Sequence, residues 1–204
     1  DRIKDKEKRG KMYYKRALSV RDKYPKSAIS YFQTMAGLYK PELAYYQIGM
    51  IYSEKMSDFE NSIKFLKKSA ELDYEDPKTL EALGANFLEL KAPKGGDKKV
   101  YIENAIKYLE KAYKHSADYK NKDVLCARLG QAYNMSGNHQ NALKYAEIAL
   151  QISKARPFGP GNLEKGKALL SLNRKSEAKK YLQEAARDLT TKQEAEYWLN
   201  EAGR

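Results

Sequence analysis

The sequence has few of the residues on which disulfides, metal centres and common active sites are built. It contains one cysteine and two histidines in 204 residues. A single cysteine, Cys126, excludes an internal disulfide and a zinc site made of several thiolates. The histidines, His115 and His139, form no H-E-x-x-H motif, and serine nucleophile elbows and dinucleotide fingerprints are absent. We therefore predict no catalytic residue, no metal and no cofactor, and we expect that the protein is not an enzyme.

Long apolar runs are absent as well. No run approaches the roughly 18 residues that a membrane-spanning helix needs. Residues 1–11 are charged and lack the apolar core of a signal peptide. A soluble protein is expected. A leader removed before residue 1 would leave the same sequence, so the compartment stays open, and the Lys- and Tyr-rich composition favours an extracytoplasmic bacterial protein.

The charge is large and unevenly distributed. The formal net charge is +12, and residues 1–26 carry 11 basic and 4 acidic side chains, whereas residues 42–90 carry 5 basic and 10 acidic ones. A basic segment of this kind can meet nucleic acid or an anionic surface. However, lysine outnumbers arginine, and the planar fork of arginine suits phosphate better than the point charge of lysine.

A short pattern recurs along most of the chain. A Gly follows an apolar residue and precedes a large apolar or aromatic one by three positions, and the fourth copy is degenerate. The copies are Ile48-Gly49 with Tyr52, Leu83-Gly84 with Phe87, Leu129-Gly130 with Tyr133, and Gly166 with Leu169. Gly inside a helix costs about 1 kcal/mol relative to Ala, so its recurrence indicates a packing role. The steps between the glycines are 35, 46 and 36 residues.

A second pattern follows each copy: a small residue, a bulky or apolar residue four positions later, and another small residue three positions after that. It reads Ser62, Leu66, Ser69; Ala105, Leu109, Ala112; Ala142, Ala146, Ala149; and Ala178, Leu182, Ala185. Spacings of three and four put each set on one face of a helix. Gly in a first helix and small residues in a second one let the two backbones approach closely. The pattern therefore predicts repeated pairs of packed helices.

These residues resemble the tetratricopeptide repeat, a helix-turn-helix unit of about 34 residues with an L-G-x2-Y and an A-x3-F element. The longer step of 46 residues is similar to that of the related Sel1-like repeats. The resemblance implies an all-α, right-handed α-solenoid of about five antiparallel helix pairs plus a C-terminal capping helix. We expect one domain over residues 1–204, with pairs at 11–40, 41–76, 77–120, 121–157 and 158–190 and the capping helix at 191–202.

The resemblance also implies a function. In this family the first helices of successive pairs line a concave groove that holds a peptide or a protein segment. The groove-facing positions carried over to this sequence are Leu43, Tyr46, Met50, Glu54, Glu81, Leu88, Glu89, Gln131 and Asn134. Relatives that clamp the carboxylate tail of chaperones use cations there. No cation occupies these positions, so we predict that the carboxylate clamp is absent.

The leading hypothesis is thus a non-catalytic scaffold that binds a protein or peptide partner of unknown identity. The alternative is an electrostatic binder of nucleic acid or an anionic surface, which would use the basic N-terminal segment and the Gly- and Lys-rich loop 91–99. The groove lacks the ladder of basic and aromatic side chains that single-stranded nucleic acid requires, which disfavours nucleic acid. Exposed end helices of solenoids can pair, so a weak homodimer is a further expectation.

Overall fold

The computed structural model describes residues 2–91 and 97–203, and all regular secondary structure in these ranges is helical. The eleven helices of this part are α1 (Arg2–Val20), α2 (Pro25–Ala36), α3 (Pro41–Met56), α4 (Phe59–Leu72), α5 (Pro77–Glu89), α6 (Lys99–Lys114), α7 (Lys122–Met135), α8 (His139–Ile152), α9 (Gly159–Ser171), α10 (Lys175–Ala185) and α11 (Lys192–Gly203). The all-α prediction is therefore confirmed. Most of the predicted loop 91–99 lies outside the described residues.

The helices belong to two compact units, Asp1–Gly96 and Asp97–Arg204. In the first unit, α1 packs on α2, α3 packs on α4, and each pair contacts the next helix in the chain. In the second unit, α7 packs on α8 and α9 on α10, while α7 also contacts α9 and α9 contacts α11. This is the helix-pair packing that the repeats predict. Whether residues 1–204 behave as a single domain stays a prediction.

The glycines of the repeats lie where two helices approach closely. A Cβ atom on Gly49 in α3 would lie 2.6 Å from Cγ of Leu66 in α4. A Cβ atom on Gly166 in α9 would lie 2.6 Å from Cγ of Leu182 in α10. Such separations are shorter than carbon atoms tolerate, so these positions require glycine with the present packing. For Gly49 and Gly166 the predicted reason for the glycine pattern is thus the observed one.

The small residues of the second helices are fully buried. Ser62, Ala105, Ala142 and Ala178 each expose 0% of their surface. The larger residues of the same pattern, Leu66, Leu109 and Leu182, are also fully buried. Alternation of small and large side chains on one face lets the helices of a pair interdigitate at the density of a protein interior.

Helix α1 begins nine residues earlier than the sequence pattern predicts, at Arg2 instead of residue 11. Two ion pairs at i,i+4 spacing, Asp5 with Arg9 at 4.0 Å and Glu7 with Lys11 at 2.5 Å, extend along this first part. An acidic residue four positions before a basic one stabilises a helix. Apolar periodicity could not reveal this segment, because charged pairs and not apolar residues favour the helix there.

The C-terminal helix covers the end of the second unit, as predicted. Leu163, Leu182, Ala185 and Ala195 form a buried cluster, and Trp198 and Leu199 of α11 pack against it. A repeat protein needs such a terminal element because its last pair would otherwise expose its apolar face.

In the described ranges, no helix combines the length and the apolar character that crossing a membrane requires.

Candidate functional site

The first unit contains an open cavity of about 220 Å³ beside α3. The start of α3 supplies Leu43 and Tyr46, the start of α5 supplies Lys78 and Thr79, and the remaining wall is polar. The full lining is Lys40, Glu42, Leu43, Tyr46, Ser69, Asp73, Asp76, Lys78 and Thr79. The structure therefore brings two of the predicted groove residues, Leu43 and Tyr46, into one cavity.

Tyr46 is the largest side chain of this cavity, and it is only 9% exposed. The ammonium nitrogen Nζ of Lys78 lies 4.3 Å from the centroid of its ring. Burial raises the pKa of the Tyr46 hydroxyl well above its usual range, and the charges of Glu54, Asp76 and Glu81 raise it further. Tyr46 is therefore a neutral phenol in a field of negative charge.

Hydrogen bonds hold the wall of this cavity in place. The carboxylate of Asp76 caps α5, accepting from the backbone N–H of Thr79 at 3.0 Å and from its hydroxyl at 2.6 Å. The hydroxyl of Ser69 in α4 donates to the carbonyl oxygen of Glu42 at 2.8 Å. The first two bonds hold the turn before α5 against the first turn of that helix, and the third joins the end of α4 to the start of α3.

The other predicted groove residues of the first unit lie outside this lining. Met50 is half-buried, Glu54 and Glu89 are exposed, and Glu81 and Leu88 are buried at 7% and 4% exposure. The carboxylate of Glu54 forms an ion pair with the guanidinium of Arg21 in the turn after α1. Whether these five side chains contact a partner stays a prediction.

The second unit contains an open cavity of about 280 Å³ beside α7, α9 and α11. Its apolar part comes from α7 and α9, and polar side chains from all three regions surround it. The lining is Val124, Ala127, Arg128, Gln131, Pro160, Leu163, Glu164, Thr190, Thr191 and Glu194. Gln131, a predicted groove residue, is half-buried in this wall.

A buried charged network lies beside this second cavity. Lys167 Nζ is 3.1 Å from Glu164 Oε1 and 3.0 Å from Glu194 Oε1. Asn134 Nδ2 donates to the Glu164 carboxylate at 2.8 Å and to the Glu164 carbonyl oxygen at 2.9 Å. Burial raises the pKa of Glu164. Burial also opposes the charge of Lys167, but the two carboxylates outweigh it and raise the pKa of the ammonium group. Asn134, predicted as a groove residue, thus has its amide group engaged within the protein.

Sequence reasoning missed several side chains that line the two cavities: Glu42, Asp73, Asp76, Glu164, Thr190, Thr191 and Glu194. Asp76 carries a local signal, because Asp before Pro is typical of a helix start. Glu164 carries none, since a carboxylate on an amphipathic helix is normally assigned to the solvent side. Thr190 and Thr191 lie in the turn before α11, where only the tertiary structure shows what they face.

The described residues offer no group of three His, Cys, Asp or Glu side chains suited to a metal ion. Cys126 in α7 is fully buried. Burial raises the pKa of its thiol to about 11, which leaves little thiolate at neutral pH. The linings of the two cavities combine hydrogen-bonding, apolar and charged side chains, which are the features of a binding site.

Comparison with a family model identifies two repeats directly. Residues 43–76 and 161–187 match the model of the tetratricopeptide repeat. The first match covers most of α3 and all of α4, and the second covers most of α9 and all of α10. Each match is therefore one helix pair of the structure. Among curated proteins, no sequence matches the chain significantly.

Solved structures with the same fold cover most of the chain. The crystal structure of MamA protein superimposes with a TM-score of 0.69 at 22% identity, covering 87% of this chain and 90% of the other. YrrB superimposes with a TM-score of 0.67 at 16% identity over 91% of this chain and 90% of its own. PilF of Pseudomonas aeruginosa gives 0.68 at 16% identity, covering 88% of this chain and 76% of its own. At these identities the similarity establishes the fold.

Proposed function

The chain is a tetratricopeptide-repeat protein, and from that premise we propose that it is a non-catalytic scaffold that binds a peptide or protein segment along the first helices of its repeats. Proteins of this fold generally mediate protein–protein interactions and are typically not enzymes. One of the similar structures, YrrB, is described as a tetratricopeptide-repeat protein with an unusual peptide-binding site. The family membership supports the general role in protein–protein interaction, and the cavities support the first helices as the location of the binding site.

The observation that carries this proposal is the position of the two cavities. In each unit one cavity lies beside first helices of repeats, at α3 and α5 in one unit and at α7 and α9 in the other. Both cavities combine an apolar floor, which includes Leu43 or Leu163, with polar side chains around it. A bound segment needs this combination, because apolar anchors supply affinity and polar groups fix its register.

The proposed contact residues are those predicted from the repeats, namely Leu43, Tyr46, Met50, Glu54, Glu81, Leu88, Glu89, Gln131 and Asn134. We add the polar lining residues Arg128, Thr190 and Thr191 of the second unit. Cations do line the cavities, as Lys40, Lys78 and Arg128, but at positions other than those of a carboxylate clamp. The absence of the clamp therefore stays a prediction, and so does a weak homodimer.

A peptide selection tests the proposal. The full chain is presented to a random peptide library, and enriched peptides are measured by calorimetry against wild type and three variants. These are Gln131→Ala, Leu43→Ala, and Tyr46→Ala combined with Glu81→Lys. We expect at least one of them to weaken binding about 5- to 30-fold, the usual effect of truncating an interface hot spot.

Exposed positions on second helices provide the control. Lys64→Ala in α4 and Gln183→Ala in α10 change exposed side chains that line neither cavity, and they should leave the affinity unchanged. Circular dichroism excludes variants that do not fold. The proposal is wrong if no peptide is enriched, or if peptides bind equally well to all groove variants. Selective retention of nucleic acid that is lost at high salt would instead favour the electrostatic alternative.

A further inference from the structure

The cavity of the first unit indicates the chemistry of the segment that it holds. We propose that this cavity binds a cationic side chain of the partner, arginine or lysine, on the ring of Tyr46 and between the carboxylates of Glu42 and Asp73. This inference rests on the proposed function, because the cationic side chain belongs to a segment held along the first helices.

The first observation is that a cation already lies on this ring. Lys78 Nζ is 4.3 Å from the ring centroid of Tyr46, whereas the other lysine–tyrosine contacts described in this unit are 5.4 to 5.6 Å long. Lys78 lies in the first turn of α5, where the helix dipole disfavours positive charge. An ammonium group thus lies on the ring of Tyr46 at a place where the helix dipole disfavours it.

The second observation is the charge around the ring. Three carboxylates, Glu42, Asp73 and Asp76, line the cavity against two lysines. Asp76 is committed to capping α5, whereas the side chains of Glu42 and Asp73 have no hydrogen bond or ion pair within the described residues. Burial is the main cause of the raised pKa of the Tyr46 hydroxyl, and the charge of Asp76 contributes to it. A cation entering here gains favourable electrostatic interactions.

The third observation is a hydroxyl with free hydrogen-bonding capacity. The Tyr46 side chain lines the cavity and is about nine-tenths buried, and its hydroxyl forms no hydrogen bond within the described residues. The hydroxyl oxygen itself remains accessible to a ligand, because it is not one of the fully buried polar atoms. The phenol oxygen can accept a hydrogen bond from an ammonium or guanidinium group. A ligand that combines positive charge with N–H donors therefore supplies what this site lacks.

Arginine fits these three features best. Its planar guanidinium stacks on an aromatic ring and presents several N–H groups to carboxylates at once. Lys78 is exposed and has a long flexible side chain, so it can leave the ring when the ligand arrives. Lys78 is in this sense an internal competitor for the site.

A titration with two short peptides tests the inference on the full chain. The probes are acetyl-Gly-Arg-Gly-amide and the same peptide with citrulline, which is nearly isosteric with arginine but neutral. The protein carries ¹³C-labelled tyrosine rings, and Tyr46→Phe identifies the Tyr46 ring signal. We expect the arginine peptide to shift this signal saturably and the citrulline peptide to leave it nearly unchanged.

Two variants and a control sharpen the test. Lys78→Met keeps much of the side-chain volume and removes the competing charge, so the arginine peptide should bind about 2- to 5-fold more tightly, the range of an exposed cation–π contact. Glu42→Gln combined with Asp73→Asn should weaken it by a similar factor. Lys68→Met is the matched control, since Lys68 lies 5.6 Å from the ring of Tyr45 in the same unit but outside the cavity, and it should change nothing.

The inference is overturned by equal responses to the two peptides, by no response at Tyr46, or by weaker binding in Lys78→Met. These outcomes leave the scaffold proposal intact if the peptide selection still yields ligands that depend on Gln131 or Leu43. Conversely, a specific arginine response at Tyr46 without any enriched peptide would support the cation site and contradict the groove-binding scaffold.

Discussion

At the scale of single residues, two kinds of position matter most: glycines between paired helices and charged groups placed inside the protein. Gly49 and Gly166 allow the helices of a pair to approach until a Cβ atom would overlap the facing leucine. Glu164 and Lys167 lie inside a hydrogen-bonded network beside the second cavity. Each kind of position leads to a measurable expectation.

Gly49→Ala should destabilise the first unit although Ala is the better helix former. The new methyl carbon would lie 2.6 Å from Leu66 Cγ and 3.2 Å from the carbonyl oxygen of Ser62, so α3 and α4 must separate. Overpacking of this kind costs about 1–3 kcal/mol. Urea unfolding followed by circular dichroism measures it. Gly37→Ala is the control, because its nearest neighbour would be 3.7 Å away and its backbone is right-handed; an equal loss in both variants would contradict this explanation.

Glu164→Gln should change how stability depends on pH. Burial raises the pKa of Glu164 above its ordinary value of 4.5. At pH values between the pKa of the unfolded chain and that of the folded protein, the folded protein therefore holds a proton that the unfolded chain has released. The stability linked to this proton is present at low pH and is lost as the pH rises through the raised pKa. The free energy of unfolding of wild type should therefore fall relative to that of Glu164→Gln as the pH rises from about 4.5 towards neutrality.

Urea unfolding of both proteins at a series of pH values checks this expectation. Glu194→Gln is a useful comparison, because it removes the exposed carboxylate that Lys167 also contacts, and exposed ion pairs contribute only about 0–1 kcal/mol. A constant difference between wild type and Glu164→Gln at all pH values would show that the buried carboxylate does not titrate as described.

At the scale of helices, the two ends of the chain illustrate different causes of helix formation. The first part of α1 is helical through ion pairs along its surface, and Gly10 lies close to Tyr39, where a Cβ atom would be 2.3 Å from that residue's own Cβ. Helix α11 instead forms because its apolar side packs on the last repeat, through Ala195, Trp198 and Leu199. An isolated helix of 12 residues, the length of α11, is only marginally stable in water, so its tertiary contacts decide whether it forms.

Removal of α11 should therefore weaken the second unit strongly. A chain ending at Thr191 exposes Leu163, Leu182 and Ala185, which are at most 4% exposed when α11 is present. Exposing a large apolar side chain costs about 1.5–3 kcal/mol, so we expect a loss of roughly 3–5 kcal/mol in the free energy of unfolding. Urea unfolding and binding of an apolar dye measure the effect. Removing only residues 203–204 is the control, and unchanged stability after removal of α11 would contradict its capping role.

At the scale of the whole molecule, the first helices of the repeats pack on the second helices and also supply much of the lining of the two cavities. The two cavities differ in chemistry. The one in the first unit is rich in carboxylates around Tyr46, whereas the one in the second unit has Gln131, Arg128 and two threonines beside apolar residues. A partner segment that engaged both units would therefore carry different side chains for each.

Much of this architecture could be predicted from the sequence. The period of the Gly motif and the spacing of the small residues identify helix pairs, because close approach of two helices restricts side-chain size at fixed positions. Prolines and Asp76-Pro77 mark helix starts, since proline lacks a backbone N–H and fits the first turn. These constraints are local or repeat regularly, so one sequence suffices to recognise them.

The candidate site could be predicted only in part. The repeat pattern places Tyr46 and Gln131 on first helices, and both line cavities. It could not show that Tyr46 is nearly buried, that Asn134 is bound to Glu164, or that Asp73 and Thr191 face the cavities. These features depend on side chains from different helices and on turns between them.

The sequence by itself thus determined that the chain folds into paired helices and which of their faces pack together, because these follow from short-range spacing and residue size. The tertiary structure alone decided which charges are buried and which side chains meet in a cavity. The physical reason is that burial and electrostatic environment are properties of several distant segments at once. A periodic pattern along one chain segment therefore cannot predict burial or electrostatic environment.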